Sequence, residues 1–158
     1  MKYRSLIFSF ALFLIAFASA AAQTPVVGIE GRFAESSVSR GSKAKGSIVL
    51  TIPEGLHVNS NKPNSEYAIP TSVRITGVGL KPGAIEYPAG TDRKFQFSES
   101  ELNVYEGEVV FSFSIAIPKN FRGKAVSLRA VVRYQACTEE LCYPPKNSEV
   151  TMTAAIVR

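Results

Sequence analysis

The sequence predicts an all-β sandwich, and three observations carry that prediction. Apolar residues alternate with polar or small ones at period two in one run after another. Clusters of Gly, Pro, Asn and Ser separate those runs. No stretch shows a convincing helical period, so layered strands are left to build the core.

The elements follow in chain order. Ile29, Gly31 and Phe33 share one face, with Glu30 and Arg32 on the other. Arg40-Gly41-Ser42-Lys43 is a polar turn, and Ile48, Leu50 and Ile52 then alternate until Pro53-Glu54-Gly55. A short piece, Leu56 to Asn59, leads into the turn-forming cluster Ser60 to Ser65. Val73 and Ile75 mark the next strand, and Ala84 to Tyr87 reads as a short edge strand between two prolines. The segment Thr91 to Glu101 is irregular and polar, yet it carries Phe95 and Phe97. The best strand follows, with Val109, Phe111, Phe113, Ile115 and Ile117 on one face. Val126, Leu128, Ala130, Val132 and Tyr134 form another, and a last strand runs from about Val150 to Val157. About seven to nine short strands with turns between them predict a two-sheet, immunoglobulin-like β-sandwich.

A leader precedes this pattern. Lys2 and Arg4 form a positive n-region, Leu6 to Phe17 is apolar apart from Ser9, and Ala18-Ser19-Ala20 offers a small-residue cleavage site. Ala20-Ala21-Ala22 is a shifted alternative. The apolar run is shorter than the roughly 20 residues that span a bilayer. Residues 1–20 are therefore expected to be a signal peptide, and residues 21–158 one exported domain with no stable membrane insertion. The predicted location is a bacterial periplasm. Without Lys2 and Arg4, 16 basic residues face 13 acidic ones. That balance is mild and evenly spread, with no basic run interleaved with aromatics, which argues against a nucleic-acid partner.

The chain has two cysteines, Cys137 and Cys142, with four residues between them. A disulfide joining the two sheets of an immunoglobulin domain needs distant cysteines, usually packed on a Trp. This chain has no Trp. Two Cys and one His are too few for a closed structural zinc site, so no metal and no cofactor are expected. A disulfide closing so small a ring contributes about 2 kcal/mol, near the low end. Two readings stay open. The pair is a staple on a hairpin tip, or it performs thiol–disulfide exchange, which needs a second thiol close enough to resolve a mixed disulfide. The polar tip Thr138-Glu139-Glu140 suits an exposed loop. Glu139 and Glu140 would raise a thiol pKa there and Lys146 would lower it, so a strongly acidic thiol is not expected.

Tyr134-Gln135-Ala136-Cys137 followed by Cys142-Tyr143-Pro144-Pro145 resembles the active-site hairpin of the N-terminal domain of the thiol:disulfide interchange protein DsbD and its disulfide bond corrector relatives. Gly55-Leu56-His57-Val58 and Asn103-Val104-Tyr105-Glu106-Gly107 fall in the same order as in that family. The resemblance implies an immunoglobulin-like sandwich with a cysteine-bearing hairpin and a cap loop. It implies catalytic roles for Cys137 and Cys142, with Cys142 forming the mixed disulfide and Cys137 resolving it. A flexible aromatic loop shields the pair in that family. Its match here is the Phe95 to Glu99 region, with Phe97 the first choice for the shielding ring and Phe95 the second; the alternative is that both rings merely pack on the sandwich edge. His57, Asn59, Tyr134 and Tyr143 are the implied neighbours of the site.

The implied partners are a thioredoxin-like protein or domain as reductant and a periplasmic disulfide isomerase or other thiol protein as acceptor. Three departures bear on this. The loop between the cysteines is one residue shorter than in the best-known member. His57 and Asn59 stand where that member has two tyrosines, and His57 reads either as a proton carrier or as a half-buried strand-end residue. The family's membrane and thioredoxin-like domains are not in this sequence, so the expected role is a stand-alone carrier or adaptor, a redox-active domain rather than a complete reductase. The competing class is a non-catalytic immunoglobulin-like binding module with a structural hairpin disulfide, which would engage partners through strand edges. A hydrolase is poorly supported, since no nucleophile–base arrangement accompanies the single histidine.

Overall fold

The computed structural model describes residues 26–157. In chain order the strands are β1 (Gly28–Phe33), β2 (Ser37–Ser39), β3 (Lys43–Thr51), β4 (His57–Asn59), β5 (Ser72–Thr76) and β6 (Thr91–Arg93). They continue with β7 (Leu102–Tyr105), β8 (Glu108–Ala116), β9 (Ala125–Tyr134), β10 (Ala136–Cys137) and β11 (Lys146–Val157). Among the described residues there is no α-helix, and none long and apolar enough to cross a membrane. The leader, residues 1–20, lies outside the described residues.

The expected immunoglobulin-like sandwich is present. One sheet has the order β1-β3-β8 and the facing sheet β2-β11-β9-β5. All pairings are antiparallel except that of β2 with β11. Period-two alternation turns one side of each long strand inward. Ile48 and Leu50 of β3, Phe111 and Ile115 of β8, and Val126, Leu128 and Val132 of β9 are buried together. Each such side chain stabilises the fold by about 1.5–3 kcal/mol. At Gly31 the sheets come so close that a Cβ would sit 2.7 Å from the Met152 methyl.

A third sheet, β10-β4-β7-β6, goes beyond the expected pair. Its strands have two to four residues each, too short to display a period, and only long-range pairing assembles them. Three further differences have the same kind of cause. Segment Ala84 to Tyr87 is not a strand; it makes a single isolated bridge to β8 at Glu86↔Ser112, after another at Pro82↔Ile115, because the flanking prolines cannot donate to a ladder. Strand β2 is added by parallel pairing of three residues with β11. Strand β11 begins at Lys146 rather than near Val150, since its ladder with β9 extends through a polar end that carries no hydrophobic alternation.

The third sheet is fixed to the main core in two ways. Strand β9 ends at buried Tyr134, and after Gln135 the chain continues as β10, so Cys137 extends one of the long core strands. In β7, Tyr105 packs edge-on against Phe111 at 5.8 Å, and its hydroxyl donates to Asn61 Oδ1 at 2.8 Å. Gly107, at φ 63°, makes the tight turn from β7 into β8.

Candidate active site: the Cys137–Cys142 hairpin

Cys137 and Cys142 form a disulfide, with S–S 2.01 Å and Cα–Cα 3.9 Å. The two residues also pair as an isolated antiparallel bridge, so the disulfide closes the hairpin at its neck. Thr138 organises the tip. Its hydroxyl accepts from the backbone N–H of Glu140 and of Leu141, both at 3.2 Å, and its own N–H donates to Leu141 O at 2.8 Å. Below the neck, Tyr143 N–H donates to Ala136 O at 2.9 Å.

The two sulfur-bearing residues differ sharply in access. Cys137 is 0% exposed, whereas Cys142 belongs to the exposed surface.

Cys137 lies directly opposite His57 in the β4–β10 pair. His57 is 2% exposed and its Nε2 has no hydrogen-bond partner. Burial, helped by the positive charge of Arg93, pushes the imidazole pKa down to about 4. The ring is therefore neutral at physiological pH.

Phe95 covers that ring. It is buried and stacks on His57 with centroids 4.0 Å apart. Phe97, 40% exposed, lies beside the pair, its ring near-parallel to both at 5.3 Å from Phe95 and 6.3 Å from His57. The loop carrying both is held by Ser98 N–H donating to Phe95 O at 3.2 Å, by Ser98 Oγ to Ser100 O at 2.7 Å, and by Lys94 Nζ to Glu99 O. Phe95 also joins Leu102 and Val104 in a small apolar cluster of its own.

A cavity of about 580 Å³ opens beside the disulfide. Cys142, Phe97, Gln135 and Asn59 line it, together with the 64–68 loop and the 98–100 turn. Asn59 is buried; its Nδ2 donates to Ile69 O at 3.1 Å and to Gln135 Oε1 at 3.3 Å, while its Oδ1 has no partner. A larger cavity, about 920 Å³, lies between the Thr76–Leu80 segment and the 118–123 turn, with no cysteine, histidine or buried charge in its lining. Its size does not bring it near the sulfur chemistry.

A family model for the N-terminal region of the thiol:disulfide interchange protein DsbD matches residues 29–154. The chain belongs to this family. As a DsbD N-terminal family member it is a thiol–disulfide interchange domain built around a cysteine pair, and its partners are thiol–disulfide redox partners in that general sense. Among solved structures, the N-terminal periplasmic domain of ScsB from Proteus mirabilis is similar at 13% identity and TM-score 0.54, over 78% of this chain and 44% of that one. The Neisseria meningitidis DsbD N-terminal domain in the reduced form is similar at 19% identity and TM-score 0.46, over 70% of this chain and 77% of that one. At 13% identity the likeness to the ScsB domain speaks to fold alone. No curated protein compared with the chain matches it.

Of the residues singled out in the sequence, this DsbD-family structure gathers Cys137, Cys142, His57, Asn59, Phe95 and Phe97 around the disulfide. Tyr134 faces the main core, with its hydroxyl 3.5 Å from Ser148 Oγ. Tyr143 contributes backbone: its carbonyl accepts from Gln135 Nε2 at 3.1 Å.

Two further residues join the site: Gln135, which the sequence offered only as part of the hairpin motif, and Arg93, which had no distinguishing signal. Gln135 ties the hairpin to Asn59 through both ends of its amide. Arg93 bridges β6 to the hairpin. It pairs with Glu106 at 2.8 Å and with Glu139 at 3.3 Å, and its guanidinium carbon lies 5.8 Å from the Phe95 ring centroid. Arg93 is thus a cation set against a hairpin carboxylate. The surface polar pattern of Thr91-Asp92-Arg93 looks like any solvated turn, so only the pairing of β6 with β7 reveals its place.

Proposed function

We propose that this domain is a periplasmic electron carrier, relaying two electrons between a thioredoxin-like reductant and periplasmic disulfide-handling acceptors through Cys137 and Cys142. The supporting observation is the unequal exposure of the two cysteines in one disulfide. In the loading step, a reductant thiolate attacks Cys142 Sγ, and the electron pair of the broken bond stays on Cys137. The reductant's second thiolate then attacks its own bridged sulfur and releases Cys142 as a thiolate. In the delivery step, Cys142 attacks an acceptor disulfide and Cys137 resolves the mixed disulfide. The chemistry requires no cofactor.

In this reading Phe97 is the ring that shields Cys142 and Phe95 is its anchor. Support comes from Phe97 and Cys142 lining one cavity while Phe95 is buried on His57. The leader, residues 1–20, directs export and is removed, leaving residues 21–158 as the working domain.

The test is a redox titration in glutathione buffers combined with trapping. A reduction potential above about −300 mV is expected, and one far below it would mark an inert structural disulfide. Cys137→Ala is expected to accumulate a mixed disulfide through Cys142 with a thioredoxin-like protein. A Cys142→Ala variant that lost only stability would favour a binding module instead.

A further inference from the structure

We propose that His57 is the proton partner of Cys137: its free Nε2 hydrogen-bonds the Cys137 sulfur once the disulfide opens, and the imidazole relays the proton that Cys137 gains when it leaves and loses when it attacks. The inference rests on the redox reading above and assigns a positioning and proton-handling role within it.

His57 and Cys137 are direct partners in an antiparallel pair. Such side chains share one face, with Cβ atoms about 4.5–5.5 Å apart. Both residues are almost fully buried in the disulfide form, so each is the other's immediate neighbour rather than bulk water. Phe95 lies flat on the imidazole and Phe97 lies beside both, 6.3 Å from the imidazole and 5.3 Å from Phe95, which holds the ring against swinging out.

The unsatisfied atom points the same way. Nε2 of His57 is buried without a partner in the disulfide form. Buried polar atoms are nearly always paired, and an exception calls for a cause. A disulfide sulfur is a poor hydrogen-bond partner, whereas a thiol donates and a thiolate accepts strongly. Opening the disulfide therefore supplies what Nε2 lacks. The charged groups nearby are Arg93 of β6 and the carboxylates Glu106 and Glu139 that pair with it. Cys137 is the titratable group directly opposite on β10. The neutral state of the ring, set by burial and Arg93, leaves it able to donate or accept.

The chemistry balances. When a partner thiolate attacks Cys142 Sγ, the partner–Cys142 bond forms and the Cys142–Cys137 bond breaks. The electron pair remains on Cys137 Sγ, which takes a proton through His57; the ring recovers it from solvent, where the partner's thiol released its own. In the reverse direction the Cys137 thiol gives its proton to His57, and its thiolate expels the partner from Cys142.

His57 is the single histidine of the chain, so its imidazole signals in an NMR titration are unambiguous. In the reduced wild-type protein those signals are expected to show a step at the pKa of the Cys137 thiol. The oxidised protein and reduced Cys137→Ala should lack it. Ring signals that titrate alike in all three would overturn the proposal.

Potentials in glutathione buffers give the second readout. His57→Phe should lower the equilibrium constant for reducing the disulfide about tenfold, which is about 30 mV for a two-electron couple. His57→Gln, whose amide can place a donor near the Nε2 position, should recover part of that loss. A His57→Phe potential equal to wild type would also overturn it. A wild-type disulfide that no glutathione buffer reduces would remove the redox reading itself, and the role of His57 with it.

Discussion

Phe95 lies flat on His57, with ring centroids 4.0 Å apart and planes inclined by 16°. The contact ties the cap loop to the strand that pairs with Cys137. It also divides the two phenylalanines. Phe95 is inside, and Phe97 is outside with its ring beside the first.

Truncating each ring should separate anchoring from shielding. Phe95→Ala is expected to cost about 3 kcal/mol, the low end for a buried ring, because its cluster with Leu102 and Val104 is small. Phe97→Ala should change stability by no more than about 0.5 kcal/mol, as surface substitutions do. Both should speed reduction of the disulfide by dithiothreitol. Urea denaturation and stopped-flow reduction measure the two effects, and a Phe97→Ala rate equal to wild type would refute shielding.

The reduced protein should react unevenly with alkylating agents. Cys142 is exposed and Cys137 is buried, so one fast and one slow modification are expected. Mass spectrometry of timed samples assigns the order. Reducing the disulfide should also lower stability by about 2 kcal/mol, the value for so short a loop.

Stability should depend on pH through His57. Its folded pKa of about 4 lies below the ordinary 6.5. Between those values the unfolded chain binds more protons than the folded one, so stability rises with pH. The contribution is complete above about pH 6.5 and is lost as pH falls toward 4. Its size is up to about 3 kcal/mol. Denaturation midpoints across this window should slope upward for wild type and flatten for His57→Phe.

Arg93 should act on His57 without acting much on the fold. Its ion pairs with Glu106 and Glu139 are largely solvated, and such pairs contribute about 0–1 kcal/mol. Its charge is one of the two causes of the depressed imidazole pKa. Arg93→Gln should therefore raise the His57 pKa, by less than burial lowers it, while the melting temperature stays near wild type. An unchanged titration of the single histidine would show that the charge does not reach it.

The long strands were legible because their signal is local. In β8 and β9 each residue's face follows from its neighbour's, so Phe111, Ile115, Leu128 and Val132 read as core without any partner in view. The cysteine hairpin was legible for a related reason: Cys137, Cys142 and their Tyr and Pro flanks are contiguous. The third sheet was not. Its strands are too short for alternation to appear, and β10, β4, β7 and β6 come from four separate parts of the chain. Contiguous residues thus told that the fold is a sandwich and that two cysteines stand on one loop. Only tertiary pairing decided that Cys137 is buried opposite His57, that Phe95 lies nearer that ring than Phe97 does, and that Arg93 reaches Glu139. Those relations join residues 38 to 80 positions apart in the chain or divide two similar rings by burial, and neither spacing nor composition encodes which of them meet.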